Sequence, residues 1–328
     1  MNPKEAYTMK IGVFDPLFSQ LPLADMLDLL VDAGVDAVEI GTGNYPGASH
    51  IDVDALLESK QARDAYLREF TSRNLIISAF SVHGNPLHPN RELAQRHDEA
   101  YRKTVRLAQE MGVPVVCVFS GCPGGGPEDR QPNWVTCAWP PDFANILNWQ
   151  WQEVVIPYWQ EAGAFAQQHG VKLAFEMHPG FVVYNPETLT RLRSAVGPVV
   201  GANFDPSHLF WQGIDPVAAI KSLEQSIYHV HAKDTAIDEQ NTAVNGVLDT
   251  KPYRDIIHRS WVFRTVGYGH SLLDWRRIVS ALRTVGYDYV LSIEHEDALA
   301  SIGEGFSKAV ATLRESVLAE TPAQPWWV

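Results

Sequence analysis

Short apolar runs rich in β-branched residues recur along the chain, and most are followed by a stretch with the apolar spacing of a helix. The runs occupy 10–14, 37–40, 76–81, 115–120, 172–177, 200–204, 227–232 and 289–294. Helices are predicted over 21–33, closed by Gly34, over about 52–72, and over 91–111, stopped by Gly112. Further helices are predicted from about 143 to 169 and from about 306 to 318. Strands that alternate with helices pair in parallel through right-handed crossovers. Eight such units predict an α/β fold with a single (β/α)8 barrel. A doubly wound sheet competes with this reading, but Val13-Phe14-Asp15-Pro16 stands where that fold would carry a glycine-rich phosphate loop. The expected boundaries are a barrel over 10–320 and a C-terminal tail over 321–328.

Two long loops interrupt the rhythm, 121–143 after strand four and 235–271 after strand seven. Both leave carboxyl ends of strands, the face where barrels of this kind carry active sites, and long ordered loops are usually functional. The first contains Trp134 and Trp139, and the tail adds Trp326 and Trp327. Tryptophans placed this way suit either a lid over a ring-shaped substrate or a subunit contact, with Trp139 a candidate for binding substrate. Gly124-Gly125-Gly126 lacks a following lysine and helix start, so it reads as a hinge.

Composition narrows the function. The 328 residues include 26 Lys+Arg against 39 Asp+Glu, a net charge of −13. A nucleic-acid groove or an anionic membrane surface would need a basic stripe, which the chain lacks. Cys117, Cys122 and Cys137 form no zinc-finger or redox pair, and their odd number suits a reducing compartment. The first five residues lack a signal peptide's apolar stretch, and no run approaches the roughly 18 apolar residues of a membrane span. A cytoplasmic protein is expected.

Polar residues gather where strands end. Eight of the 12 histidines (His83, His88, His178, His208, His229, His231, His270 and His295) fall at strand ends or just beyond them. The last four strands end in Glu176-Met177-His178, Asp205-Pro206-Ser207-His208, His229-Val230-His231-Ala232-Lys233-Asp234 and Glu294-His295-Glu296-Asp297. Adjacent strands can point Glu176, Asp205, His231 and Glu294 at one centre. Three carboxylates brought together without a cation would repel and raise one another's pKa. The oxygen-rich set suits one divalent ion such as Mn²⁺, Mg²⁺ or Co²⁺ better than structural zinc. Strand alternation turns His178 the same way as Glu176, which makes it a candidate base, and His83 reaches the same rim from strand three as a candidate substrate contact. Glu39 reads as support for the centre. Lys233 and Asp234 read as functional groups or as an ion pair orienting the strand-seven histidine.

These segments carry a resemblance. Phe175-Glu176-Met177-His178-Pro179, Asn203-Phe204-Asp205-Pro206-Ser207-His208, His229-Val230-His231-Ala232-Lys233-Asp234, Gly267-Tyr268-Gly269-His270 and Ser292-Ile293-Glu294-His295-Glu296 together resemble the xylose-isomerase-like barrel superfamily, in its sugar isomerase/epimerase branch. The resemblance implies that Glu176, Asp205, His231 and Glu294 bind one catalytic divalent metal, usually Mn²⁺. It also implies that Glu176 and Glu294 act as acid and base on either side of a bound ketose, and that His208 contacts a substrate oxygen. The implied activity is a sugar isomerase or epimerase that removes a proton beside a carbonyl through a metal-stabilised enediolate. Two departures bear on the substrate. Phe181, Val182 and Val183 stand where the ketose epimerases place a second glutamate, and their strand-seven arginine is absent, with Arg264 a replacement from the long loop. The alternative is a lyase that cleaves 3-keto-glycosides by β-elimination, as the catalytic subunit of C-glycoside deglycosidases does. An inosose-type dehydratase, an endonuclease IV-like repair enzyme and a non-enzymatic sugar-binding barrel are weaker readings. The expected partners are a sugar or keto-glycoside and other subunits, either copies of the chain or a companion small subunit.

Overall fold

Parallel strand pairs close into a ring in the computed structural model, which describes residues 9–320 and 327. The ring contains β1 (Lys10–Phe14), β2 (Ala37–Gly41), β3 (Ile76–Ser81), β4 (Val115–Val118), β5 (Lys172–Glu176), β6 (Val200–Phe204), β7 (Ile227–Ala232) and β10 (Val290–Ile293). It shuts where β1 pairs with β10, Lys10 opposite Val290 through Val13 opposite Ile293. The eight-strand barrel expected from the alternation is therefore present. Register slips between Val38 and Glu39 against β3, and between Ala202 and Asn203 against β7, each just before a buried side chain that reaches the site. Such slips re-aim side chains at functional rims. The expected tail is outside the described residues except for Trp327, and so is the leading segment 1–8.

Local chemistry sets the helix boundaries. Asn90 caps Arg91–Met111 by accepting from the Glu92 and Leu93 N–H groups, and Gly112 ends the helix with φ +70°. The helix predicted over 52–72 is instead two, Val53–Glu58 and Lys60–Thr71. Ser59 lies between them in an extended conformation and accepts from the Ala62 N–H, starting a new helix rather than continuing the old one. The helical stretch from Pro141 to Gln168 widens to a π turn over Gln150–Val155, leading into Pro157, which has no N–H to donate back. Among the described residues, no helix is long and apolar enough to cross a membrane.

The segment after β7 departs most from expectation. It folds back as an antiparallel hairpin of β8 (Asp234–Ile237) and β9 (Trp261–Arg264), with a helix at Glu239–Asn245 between the strands. One buried carboxylate anchors this hairpin. Asp234 accepts from the backbone N–H groups of Thr235, Gly267, Gly269 and His270 and from the Trp275 indole, at 2.8–3.1 Å, while His270 Nδ1 lies 2.8 Å away. Gly267 takes φ +90° to make this wrap, and a Cβ on Gly269 would come within 2.3 Å of the Thr235 carbonyl oxygen. The Gly267-Tyr268-Gly269-His270 motif is thus a clamp around Asp234. Removing the carboxylate strands several buried donors. Asp234→Ala is expected to cost about 3 kcal/mol or more in urea denaturation. Hydrogen exchange should quicken across residues 265–271 in this variant; an unchanged midpoint and exchange pattern would contradict the clamp.

Candidate active site

The carboxyl ends of β5, β6, β7 and β10 bring Glu176, Asp205, His231 and Glu294 together. One ligand atom from each lies within 4.8 Å of the others. Glu176, Asp205 and His231 are buried, and Glu294 opens to the cavity with 18 % of its side chain exposed. Glu176 Oε1 lies 3.1 Å from His208 Nε2, and Glu176 Oε2 lies 3.0 Å from His83 Nε2. His208 Nε2 is also 3.3 Å from Asp205 Oδ2. The histidines expected near substrate therefore stand directly against the carboxylates.

His231 is held from behind. Its Nε2 is 3.0 Å from both oxygens of Glu39, which also accepts from the hydroxyls of Ser81 and Ser292. An imidazole oriented this way presents Nδ1 to the centre, the usual support for a metal-binding histidine. Nδ1 lies 3.0 Å from Glu294 Oε2 and 3.4 Å from Glu176 Oε2, yet it makes no hydrogen bond, and neither does Asp205 Oδ2. Both atoms have charged neighbours, Glu294 for the first and Lys233 and His208 for the second, and the converging oxygen and nitrogen donors fit a divalent cation bound between them.

Of the three carboxyls only Asp205 is raised; burial works against the charge on Glu176, but hydrogen bonds from His208, His231 and His83 overcome it and hold that carboxyl well below the usual carboxylate range. Burial pushes Asp205 up to about 6; Lys233 opposes this, while Glu176 and Glu294 add to it. Burial also works against the charge on Glu294, but Lys233 and His231 outweigh it and hold that carboxyl at about 2. Burial likewise opposes charge on His231, but Glu39 and Glu294 raise the imidazole well above its usual range. A bound cation would displace such a proton.

Lys233 plays a larger part than an orienting ion pair. Its buried Nζ lies 2.9 Å from Glu294, 3.1 Å from Glu296 and 3.2 Å from Asp205, and 4.7 Å over the Phe263 ring. It follows His231 by two, so strand alternation carries the signal that places it there. His229 lies deeper, 3.1 Å from Asn203 Oδ1 and 3.3 Å from Ser78 Oγ. Glu39, Cys117 and His229 also cluster, but Glu39 is engaged with His231, and burial pushes the Cys117 thiol up.

A cavity of about 700 Å³ opens above Glu176 and Glu294, walled by Phe14, Tyr45, Phe119 and His83. The aromatic walls carried no signal in the motifs. His178 stands at the edge of this cavity, with its Nδ1 2.6 Å from the Pro179 carbonyl oxygen and its ring 4.0 Å from that of His208. Burial and His208 lower His178 to about 4. Arg264 reaches sideways to Asp297 at 3.1 Å and does not line the cavity. Trp139 is 73 % exposed on the loop after β4, also outside the lining. His270 stacks on Phe210, 3.5 Å between ring centroids, and serves the Asp234 clamp.

The model of the xylose isomerase-like TIM barrel family matches residues 27–316. The chain belongs to this family. A family relative, the uncharacterized protein YfiH of Bacillus subtilis, is 41 % identical over 312 residues, spanning 94 % of this chain and 99 % of its own. An inosose dehydratase of Geobacillus thermodenitrificans is 27 % identical over 157 residues, covering 47 % of this chain and 51 % of its own. The structure of the IOLI protein with a zinc atom superposes with a TM-score of 0.61 at 18 % identity, covering 94 % of this chain and 98 % of that one.

The support given to His231 is open to test. Glu39→Gln is expected to weaken binding of a divalent cation by about 10- to 100-fold, read by calorimetric titration with Mn²⁺ or Zn²⁺. Unaltered affinity would show that the contact between Glu39 and His231 does not serve a metal.

Proposed function

We propose that the protein is a divalent-metal-dependent enzyme that removes a proton beside the carbonyl of a sugar-like substrate, acting as an isomerase or epimerase. The observation that carries this reading is the convergence of Glu176, Asp205, His231 and Glu294 at the ends of four neighbouring strands, with Glu176 and Glu294 lining the larger cavity. The oxygen-rich donor set supports Mn²⁺ as the ion, with Mg²⁺ or Co²⁺ as substitutes, and the odd number of cysteines supports a cytoplasmic setting. When bound, the ion would polarise the substrate's carbonyl and ease the loss of the neighbouring proton.

The chain's own groups supply the rest. Glu176 and Glu294 reach the cavity floor from β5 and from the end of β10, so one carboxylate can take the proton and the other can return it. Return to the opposite face of the same carbon inverts that carbon; return to the neighbouring carbon moves the carbonyl. His83 lies against Glu176 in the cavity wall, placed to contact substrate hydroxyls, His208 holds Glu176 from outside that wall, and Phe14 and Phe119 offer apolar faces to a ring. Lys233 balances part of the negative charge and keeps Glu294 ionised at neutral pH.

Elimination is the second reading. After the proton leaves, the released electron pair can expel a group β to the carbonyl, which departs with its bonding electrons. Two observations favour this route: His178 at the cavity edge, and apolar Phe181–Val183 in place of a second glutamate. Similarity to an inosose dehydratase supports it as well. Its substrates would be a keto-glycoside or an inosose.

Glu294→Gln is expected to reduce turnover by at least about 10²-fold. Chelation should abolish turnover and added Mn²⁺ restore it; activity that survives both treatments would remove the proposed centre. Metal-loaded protein incubated in deuterium oxide with ketohexoses, and separately with a 3-keto-C-glucoside, separates the two routes. Deuterium in an epimerised or isomerised ketose supports the first, and release of the aglycone supports the second. No exchange into any substrate would exclude proton abstraction on these compounds.

A further inference from the structure

Lys233 follows His231 by two and reaches the same centre from the end of β7. The residue is only 2 % exposed, and carboxylates from two other strand ends converge on its ammonium. Nζ donates to Glu294 Oε2 at 2.9 Å and to Glu296 Oε2 at 3.1 Å, and it lies 3.2 Å from Asp205 Oδ2. The Phe263 ring closes a further side, 4.7 Å away. A buried ammonium persists only where it is paired in this way.

Two of these three carboxylates also belong to the set that converges with His231. Asp205 Oδ1 accepts from the Ser207 N–H at 2.8 Å, so Oδ2 is the oxygen left to face both Lys233 and an ion. Glu294 Oε2 is 2.9 Å from Lys233 Nζ and 3.0 Å from His231 Nδ1, so it too stands between the lysine and the set. Two-metal centres hold their ions about 3.5–4 Å apart, close enough for one carboxylate to serve both. Here the chain itself supplies the cation at one of two such positions. Glu296 belongs to that position alone, with its side chain 49 % exposed in the cavity wall.

We propose that Lys233 is a resident second cation: its ammonium fills the place where a two-metal centre would hold another divalent ion, and it thereby limits the centre to one exchangeable ion. The assignment rests on the reading that Glu176, Asp205, His231 and Glu294 bind the first ion. Lys233 is then a positioning residue, which turns Asp205 and Glu294 toward the centre before that ion arrives. A simple buried ion pair would stabilise the fold as well, but shortening its lysine would not create a position for a metal. The three carboxylate oxygens around Nζ form an all-oxygen donor set, which suits Mn²⁺ or Mg²⁺ once the ammonium is gone.

Mn²⁺ can be titrated into the intact, chelator-treated protein, with bound ion counted by elemental analysis and coupling between ions read by low-temperature electron paramagnetic resonance. The wild-type chain is expected to hold one Mn²⁺ with an uncoupled spectrum. Lys233→Ala is expected to hold two, and their spins should couple because Asp205 and Glu294 join the positions. Adding Glu296→Gln to that variant should weaken the second ion at least about tenfold, since it alters a ligand used at that position only. Melting followed by circular dichroism gives a separate readout. Lys233→Ala should lose stability without Mn²⁺ and regain it at millimolar Mn²⁺, by a larger shift than the wild type shows; Lys233→Ser carries the same expectations. A single ion in these variants, a second ion without coupling, or a second ion unweakened by Glu296→Gln overturns the resident-cation role. So does a coupled pair in the wild type, or failure of Mn²⁺ to restore either variant. Absent Mn²⁺ binding by the wild type removes instead the reading on which the role rests.

Discussion

Repulsion among carboxylates is the constraint around which this molecule is arranged. The ends of β5, β6 and β10 bring Glu176, Asp205 and Glu294 close together in a largely buried setting where water screens little of their charge. Such a cluster persists only if positive charge is built in beside it. Lys233 and His231 provide some, both from the end of β7, and the donor set has the composition to take a divalent ion for the remainder. Glu39 on β2 fixes His231 from across the barrel, so the centre depends on strands that meet only after the ring has closed.

Much of the fold was legible because its signals are local. Apolar runs of four to six residues, helix stops at Gly34 and Gly112, and the absence of a phosphate loop after β1 are properties of short windows. Glu176, Asp205 and Glu294 were legible for a related reason, each ending an apolar run; alternation points His229 and His231 the same way, and the family resemblance chose His231 between them. What escaped depends on distance. Glu39 reads from the sequence as support for the centre, but its partner does not: Glu39 and His231 are 192 positions apart, and nothing near either one reports their contact. The hairpin of β8 and β9 escaped because each strand has four residues and a long excursion separates them, with no tight-turn signal between.

Asp234 shows how a motif can be visible while its purpose is not. Its neighbours in sequence include His231 and Lys233, which face the centre, and a catalytic role was an equally natural reading. Geometry assigns it instead to the glycine-rich turn that follows β9. His270 belongs to the same unit, so a histidine at the rim serves architecture rather than substrate. Lys233 is the converse case, a lysine readable as a pairing group that lies at the heart of the site.

Two cavities at this rim differ in origin. Groups at the ends of barrel strands line the one above Glu176 and Glu294, whereas the outer walls of the other, of about 390 Å³ beside His178, come from the loop after β4 (Trp134), the segment after β6 (Trp211) and the β8–β9 hairpin (Tyr253 and Trp261). Insertions at a barrel rim can lengthen, shorten or be exchanged without altering strand stagger or closure. The rim is therefore separable from the centre in the gene: changes within 121–140 and 238–261 can reshape the wall built by Trp134, Tyr253 and Trp261 while the strand ends that carry the carboxylates stay as they are.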